Sequence, residues 1–167
     1  MSKIIKNKKQ IIEYFEKGFK PRQLWKIGTE HEKFLYHLNT LKPIDYHGKK
    51  GVKFLFKLLK KKGWKEIIED KNPIALKKVG STISLEPRCQ IELSGGTVGT
   101  IHETCKQAKT YLDELKVICT KKRIGILGIG YYPKNFKKNI GWVPKKRYSI
   151  MKKRMRITGS RGLEMMS

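Results

Sequence analysis

The stretch WKIGTEHEKFLY, residues 25–36, places Glu30 and Glu32 on either side of His31, among Ile27, Phe34, Leu35 and Tyr36. The apolar members read as a buried strand. A strand sends alternate side chains to opposite faces, so the two carboxylates share a face roughly 7 Å apart and His31 takes the other. Two like charges on the inner side of a sheet repel and lose hydration unless something positive lies between them. A second pair comes from STISLEPRCQIELSGG, residues 81–96. Alternation there puts Thr82, Ser84 and Glu86 on one face and Ile83 and Leu85 on the other, then Gln90, Glu92 and Ser94 against Ile91 and Leu93. With Pro87, Arg88 and Cys89 as a hairpin loop, Glu86 faces Gln90 and Ser84 faces Glu92. Four glutamates without Cys or His suit a hard cation, above all Mg²⁺, which keeps waters and binds substrate phosphates as well as carboxylates. Nucleotide phosphate is its natural companion. Two other readings are open at this point: solvated glutamates paired with lysines, or an acid and base pair about 5 to 10 Å apart of the glycosidase kind. His31, on the opposite side, reads as a packed or surface residue rather than a general base.

The elements that must position these groups follow from the pattern on either side. Apolar pairs at Ile4/Ile5, Ile11/Ile12 and Tyr14/Phe15 predict a first helix over residues 2–19, stopped by Gly18 and Pro21. After the opening strand and a loop through Pro43 and Gly48, the stripe Val52, Leu55, Phe56 and Leu59 predicts a second helix that ends in Lys60, Lys61, Lys62 and Gly63. Residues 76–80 approach another strand. Thr100 and Glu103 have capping-box spacing, and Ile101, Ala108, Leu112, Leu115 and Ile118 carry an amphipathic helix to about Lys122. RIGILGIGYYPK reads as a short buried strand needing close backbone contact. Its glycines fall as GxxGxG, and Pro133 with a polar loop follows where a phosphate-cradling helix would begin, so it is not a dinucleotide fingerprint. Pro144 suits the first position of a helix carrying Arg147, Tyr148, Met151 and Met155, with Gly159 as its stop. Leu163 and Met166 bracket what reads as the start of a strand. No repeat or low-complexity linker divides the chain, so residues 1–167 are expected to form a single domain.

Composition bounds the rest. With 38% hydrophobic and 10% aromatic residues, the 167-residue chain can bury a core. No apolar run reaches the roughly 20 residues of a membrane span, and MSKIIKNKKQ has the pattern of neither a signal nor a transit peptide, so a soluble, cytoplasmic chain without membrane contact is expected. Cys89, Cys105 and Cys119 offer no CxxC pair and read as free thiols. The net charge of +25 invites nucleic acid, but 32 of the 39 basic residues are Lys, scattered through every segment, which suits a solvated surface better. A basic nucleic-acid-binding protein, using the helix at 145–156, is the rival reading.

Six blocks in order carry a resemblance: GTEHEKF (28–34), LEPRCQIELSG (85–95), IHETC (101–105), GILGIGYYPK (125–134), PKKRYSIM (144–151) and GSRGLEMM (159–166). From about residue 20 onward the chain resembles the proteobacterial and plant type of glutamate-cysteine ligase. The resemblance implies an α+β fold related to glutamine synthetase, an antiparallel curved sheet forming a bowl with helices on its outer side. It also implies ATP-dependent joining of the γ-carboxylate of L-glutamate to the amine of L-cysteine through a γ-glutamyl phosphate, the first step of glutathione biosynthesis. By position, Glu30, Glu32, Glu86 and Glu92 match the acidic residues of the first two motifs and would hold Mg²⁺ against ATP. Arg147 matches the arginine of PKGRYxIM and would grip a glutamate carboxylate, with Tyr148 and Met151 beside the substrate. Glu30, Glu32, Glu92 and Arg147 are thus the expected catalytic set. A ligase joining glutamate to another amine would share this architecture. Two departures stand out. Arg88 and Cys89 replace the family's Gly-Gly at the hairpin tip, where glycines signal positive φ. The family also continues beyond GLxMM into strands and helices that complete the bowl, so the sheet is expected to be incomplete and activity to need a second polypeptide supplying the C-terminal half.

Overall fold

The computed structural model describes residues 4–133 and 141–166. Its core follows from two periodicities meeting. Helix α2 (Val52–Lys60) buries Val52, Leu55, Phe56 and Leu59, one stripe at helical spacing. Helix α3 (Ile101–Lys122) buries Tyr111, Leu115, Ile118 and Cys119, and Arg123, at φ 55°, ends it in the left-handed region. Against them lie the alternate residues of the strands: Leu76, Ile83, Leu85, Ile91 and Leu93 are all fully buried. The Thr100–Glu103 capping box forms in full and fixes the start of α3.

Among the described residues six strands build one antiparallel sheet: β1 (Glu30–His37), β2 (Lys65–Glu69), β3 (Asn72–Lys78), β4 (Ser81–Leu85), β5 (Ile91–Ser94) and β6 (Ile124–Leu127). Their spatial order is β2-β3-β4-β5-β1-β6, so the sheet is open at β2 and β6. This is an α+β fold consistent with an incomplete bowl. Helix α4 (Lys146–Thr158) stands on the other side of the sheet from α2 and α3, where Met151 and Met155 share a cavity with Glu32, Phe34 and Glu86.

Several expectations shift in position. The first helix is α1 (Lys8–Glu16), shorter than 2–19 because the Asn7 side chain accepts from the Gln10 amide and caps it; residues 2 and 3 lie outside the described residues. None of its side chains is buried. The opening strand begins at Glu30, with Ile27 making only an isolated bridge to Val98. Pro144 is not the first residue of α4, which starts two residues later with Lys145 as its cap. The segment expected to start a strand near Leu163 is a 3₁₀ turn, Glu164–Met166, that buries Met166. The polar loop after Pro133 and the Lys134 end of its block lie outside the described residues.

The hairpin β2–β3 was not read from the sequence. Its two-residue turn, Asp70 and Lys71 at φ 46° and 64°, lacks glycine, and Pro73 within β3 argues against a strand. The proline is accommodated because the β2–β3 register shifts between Ile67 and Ile68, and β4 pairs with β3 only from Leu76 onward. In β6, a Cβ on Gly125 would fall 2.1 Å from the Tyr36 ring, so the strand does need the close approach that glycine allows.

Candidate functional site

The hairpin β4–β5 has the register read from the sequence. Ser84 is opposite Glu92, and the Glu86 amide donates to the Gln90 carbonyl at 2.9 Å. Because β5 also pairs with β1, Glu32 lies directly opposite Glu92, and Glu30 opposite Ser94. The polar face therefore carries two cross-strand rows, Ser84–Glu92–Glu32 and Thr82–Ser94–Glu30, with Glu86 and Gln90 at the hairpin end. Residues directly opposite on antiparallel strands have Cβ atoms about 5 Å apart, a spacing at which like charges destabilise the pair.

Neighbouring donors answer part of that repulsion. Glu92 accepts from the Ser84 hydroxyl at 3.0 Å and the Ser94 hydroxyl at 3.1 Å, and Glu32 accepts from the Gln90 amide at 3.0 Å. Neither Glu30 nor Glu32 is buried, since β1 becomes buried only at Phe34; the carboxylates keep their hydration, against the expectation of a buried pair. Glu86 is the strained member. Burial first, then the Glu92 charge, with Glu32 adding a little, push its pKa above the usual carboxylate value, while Lys145 and Arg147 pull it back.

Lys145 was missed by the sequence reading. Its ammonium is buried, donating to the Leu85 carbonyl at 2.7 Å and to the Tyr148 hydroxyl at 3.4 Å. Burial lowers its pKa, and the Glu86 charge resists that. Nothing in its type or spacing set it apart from the other lysines; only its place beside Arg147 in PKKRY could have singled it out. Tyr148 donates to the same Leu85 carbonyl at 2.5 Å, and burial, then the nearby Glu86 charge, raise its pKa. Its ring is 2% exposed and lies 5.1 Å from both the Lys145 and Arg147 cations.

The candidate residues are thus brought together unequally. Glu32, Glu86 and Met151 line one cavity of about 260 Å³ with Phe34, Gln90 and Met155. Glu92 adjoins it through its row. Arg147 is exposed at the start of α4, near enough to act on the Glu86 charge. Glu30 shares the face but lies one row away from the cavity.

Among the described residues, no three His, Cys, Asp or Glu side chains are gathered closely enough to hold a metal by themselves. The donors still fit Mg²⁺, which takes oxygen ligands and is ordinarily held by one or two carboxylates together with substrate phosphates and water. At the hairpin tip Cys89, not Arg88, takes the left-handed conformation, at φ 65°. Its thiol is buried, which pushes its pKa up to about 12, and the Arg88 guanidinium stacks 5.3 Å from the Trp142 ring.

Comparison with known proteins bears on what this face is for. The family glutamate-cysteine ligase family 2 (GCS2) matches residues 26–167. The chain is 42% identical over 159 residues to glutamate-cysteine ligase A, chloroplastic, of Oryza sativa subsp. japonica, covering 95% of this chain and 32% of the relative. It is equally similar, at 42% over the same share of this chain, to the chloroplastic glutamate-cysteine ligase of Medicago truncatula, and 38% identical to that of Arabidopsis thaliana. The chain spans about a third of the length of these relatives. Their names correct the cytoplasmic expectation: all three are chloroplastic, which points to a plastid. Among the described residues no helix is long and apolar enough to cross a membrane. With six sequence blocks, an open antiparallel sheet carrying acidic rows, and a match over residues 26–167, the chain belongs to glutamate-cysteine ligase family 2.

Proposed function

We propose that this chain supplies one wall of an ATP-dependent ligase that joins the γ-carboxylate of L-glutamate to the amine of L-cysteine. The observation that carries the reading is the row Ser84–Glu92–Glu32 with Glu86 at its end, acidic groups aligned across three strands of a sheet whose family performs this chemistry. A carboxylate is a poor electrophile, so its oxygen first attacks the γ-phosphorus of ATP, releasing ADP. The cysteine amine then attacks the acyl carbon and phosphate leaves.

Glu32, Glu86 and Glu92 would hold Mg²⁺, with Glu30 one row out; when bound, the ion would offset negative charge on the phosphate oxygens. Ser84, Ser94 and Gln90 keep the Glu92 and Glu32 carboxylates aimed, leaving their other lone pairs for ligands. Arg147, exposed and charged beside Glu86, would grip a glutamate carboxylate with paired N–H donors. Tyr148 and Lys145 fasten the end of β4 through the Leu85 carbonyl, and Met151 closes the cavity next to Glu32. No side chain need act as a nucleophile; the work is positioning and electrostatics. Since the chain spans a third of its relatives, a second polypeptide corresponding to the remaining two thirds would complete the site.

The test assembles this chain with that remaining portion of a relative and follows ADP release with Mg²⁺-ATP, L-glutamate and L-cysteine. Glu92→Gln is expected to lower turnover at least about 100-fold, the usual scale for losing an electrostatic contact to the transferring group. Turnover within a few-fold of the parent would sink the assignment.

A further inference from the structure

On the helix-covered side of the sheet, away from the acidic rows, α3 and the β3–β4 turn enclose a second cavity of about 420 Å³. That size falls within the usual range for small-molecule sites. Trp64 forms one wall, Leu93 and Tyr111 line its depth, and Gln107 and Thr110 stand along α3. Leu93 points here while its neighbours Glu92 and Ser94 point to the opposite face, so the two sites are separated by the thickness of β5.

The polar groups of this cavity are unevenly satisfied. The Trp64 indole N–H donates to Glu114 at 2.8 Å, and Lys78 pairs with the same carboxylate at 2.7 Å while its ammonium sits 5.7 Å from the Trp64 ring. That end is charge-balanced. By contrast, the Tyr111 hydroxyl is buried with no hydrogen-bond partner, in a side chain 2% exposed, and the Gln107 Oε1 one helical turn earlier also has none. Burial keeps the phenol protonated, so it is an unmatched donor one turn from an unmatched acceptor. Leaving buried polar groups unpaired is costly, which gives a ligand something to satisfy.

We infer that this cavity is a binding site for an uncharged, planar ring molecule that lies against Trp64 and carries a hydrogen-bond acceptor for Tyr111 and a donor for Gln107 on one edge, of the lactam type. The balanced Lys78–Glu114 pair leaves no net charge at the Trp64 end to attract an ion. The aromatic wall favours a flat ring, and the donor and acceptor at i and i+4 of one helix favour a lactam edge. The inference does not rest on the ligase reading, because no residue of the acidic rows takes part.

The experiment is an NMR titration of the 167-residue chain with oxindole, a lactam, and with indane, a ring pair of similar shape with no polar edge. Oxindole is expected to bind saturably, shifting the Trp64 indole N–H and the amides around Tyr111. Tyr111→Phe should weaken oxindole about tenfold, the worth of one hydrogen bond to a buried donor, and leave indane unchanged. Tyr111→Phe should also raise the melting temperature of the free chain, since it removes an unpaired hydroxyl, so failure to fold is not the concern. Thr110→Trp, at an exposed position on the rim, should block both ligands. Oxindole shifts confined to the Met151 and Met155 cavity, equal binding of oxindole and indane, or no loss on Tyr111→Phe would each overturn the proposal.

Discussion

At the scale of single residues, Cys89 shows how a site can keep its geometry while its sequence departs from the family's. The resemblance puts glycine at this position, and the backbone keeps the left-handed φ of 65° that glycine would explain. A β-carbon there costs about 1 to 2 kcal/mol. Burial offsets it: the thiol is 2% exposed, with its sulfur 4.0 Å from the Gly141 carbonyl, and burying one small apolar group contributes about 1 kcal/mol. Cys89→Gly should therefore change stability by less than about 1 kcal/mol, whereas Cys89→Val, with a branched β-carbon in the same conformation, should cost about 2 kcal/mol or more. Urea unfolding monitored by tryptophan fluorescence distinguishes them; equal stability of the Val and Gly variants would show that the tip relaxes. The same tip holds Glu86, so the turn's conformation sets where the most perturbed carboxylate of the polar face points.

At the scale of elements, the β3–β4 turn runs against its own residue choice. Val79 and Gly80, at φ 39° and 75°, form a two-residue hairpin loop with both central residues in the left-handed region, which favours Asn-Gly. Val79 is 97% exposed, so its branched side chain is strained and no burial compensates. Val79→Asn should stabilise the chain by about 1 kcal/mol, raising the melting temperature by roughly 2 to 4 °C in a scanning-fluorimetry comparison. No change would mean that the loop strain is already relieved elsewhere. Turns of this kind also mark where reading the sequence stops. The β4–β5 hairpin was legible because Ile83, Leu85, Ile91 and Leu93 alternate strictly and one face is buried, which fixes the register. α3 was legible from its capping box. The β2–β3 hairpin was not, because neither of its turns, Asp70-Lys71 and Val79-Gly80, has the expected composition and Pro73 breaks the strand pattern. Within the site, the carboxylates of one face could be read from period two, but Lys145 could not, since a buried ammonium is defined by the carbonyl it meets 60 residues away, at Leu85.

At the scale of the whole molecule, two opposing surface properties decide how the chain behaves alone. Apolar side chains stand exposed along α1 and the segment after it: Tyr14 is 75% exposed, Phe15 65%, Phe19 78% and Trp25 66%. The sheet ends at β2 and β6 with unpaired edges, and such surfaces drive self-association. Against this stands a net charge of +25, which makes every copy repel every other. Repulsion between exposed charges is screened with a Debye length of about 10 Å at 0.1 M salt and about 3 Å at 1 M, whereas apolar contact is not weakened by salt. The isolated chain should therefore sediment as a monomer in 20 mM NaCl and as larger species in 1 M NaCl. Phe15→Ser with Phe19→Ser should shift the onset of association to higher salt, because it removes apolar area without changing the charge. Association that is strongest at low salt would mean that a bound polyanion, not the apolar surface, joins the copies. A monomer at every salt concentration would show that the face along α1 is not adhesive, and a second polypeptide would then have to be recognised through the sheet edges instead.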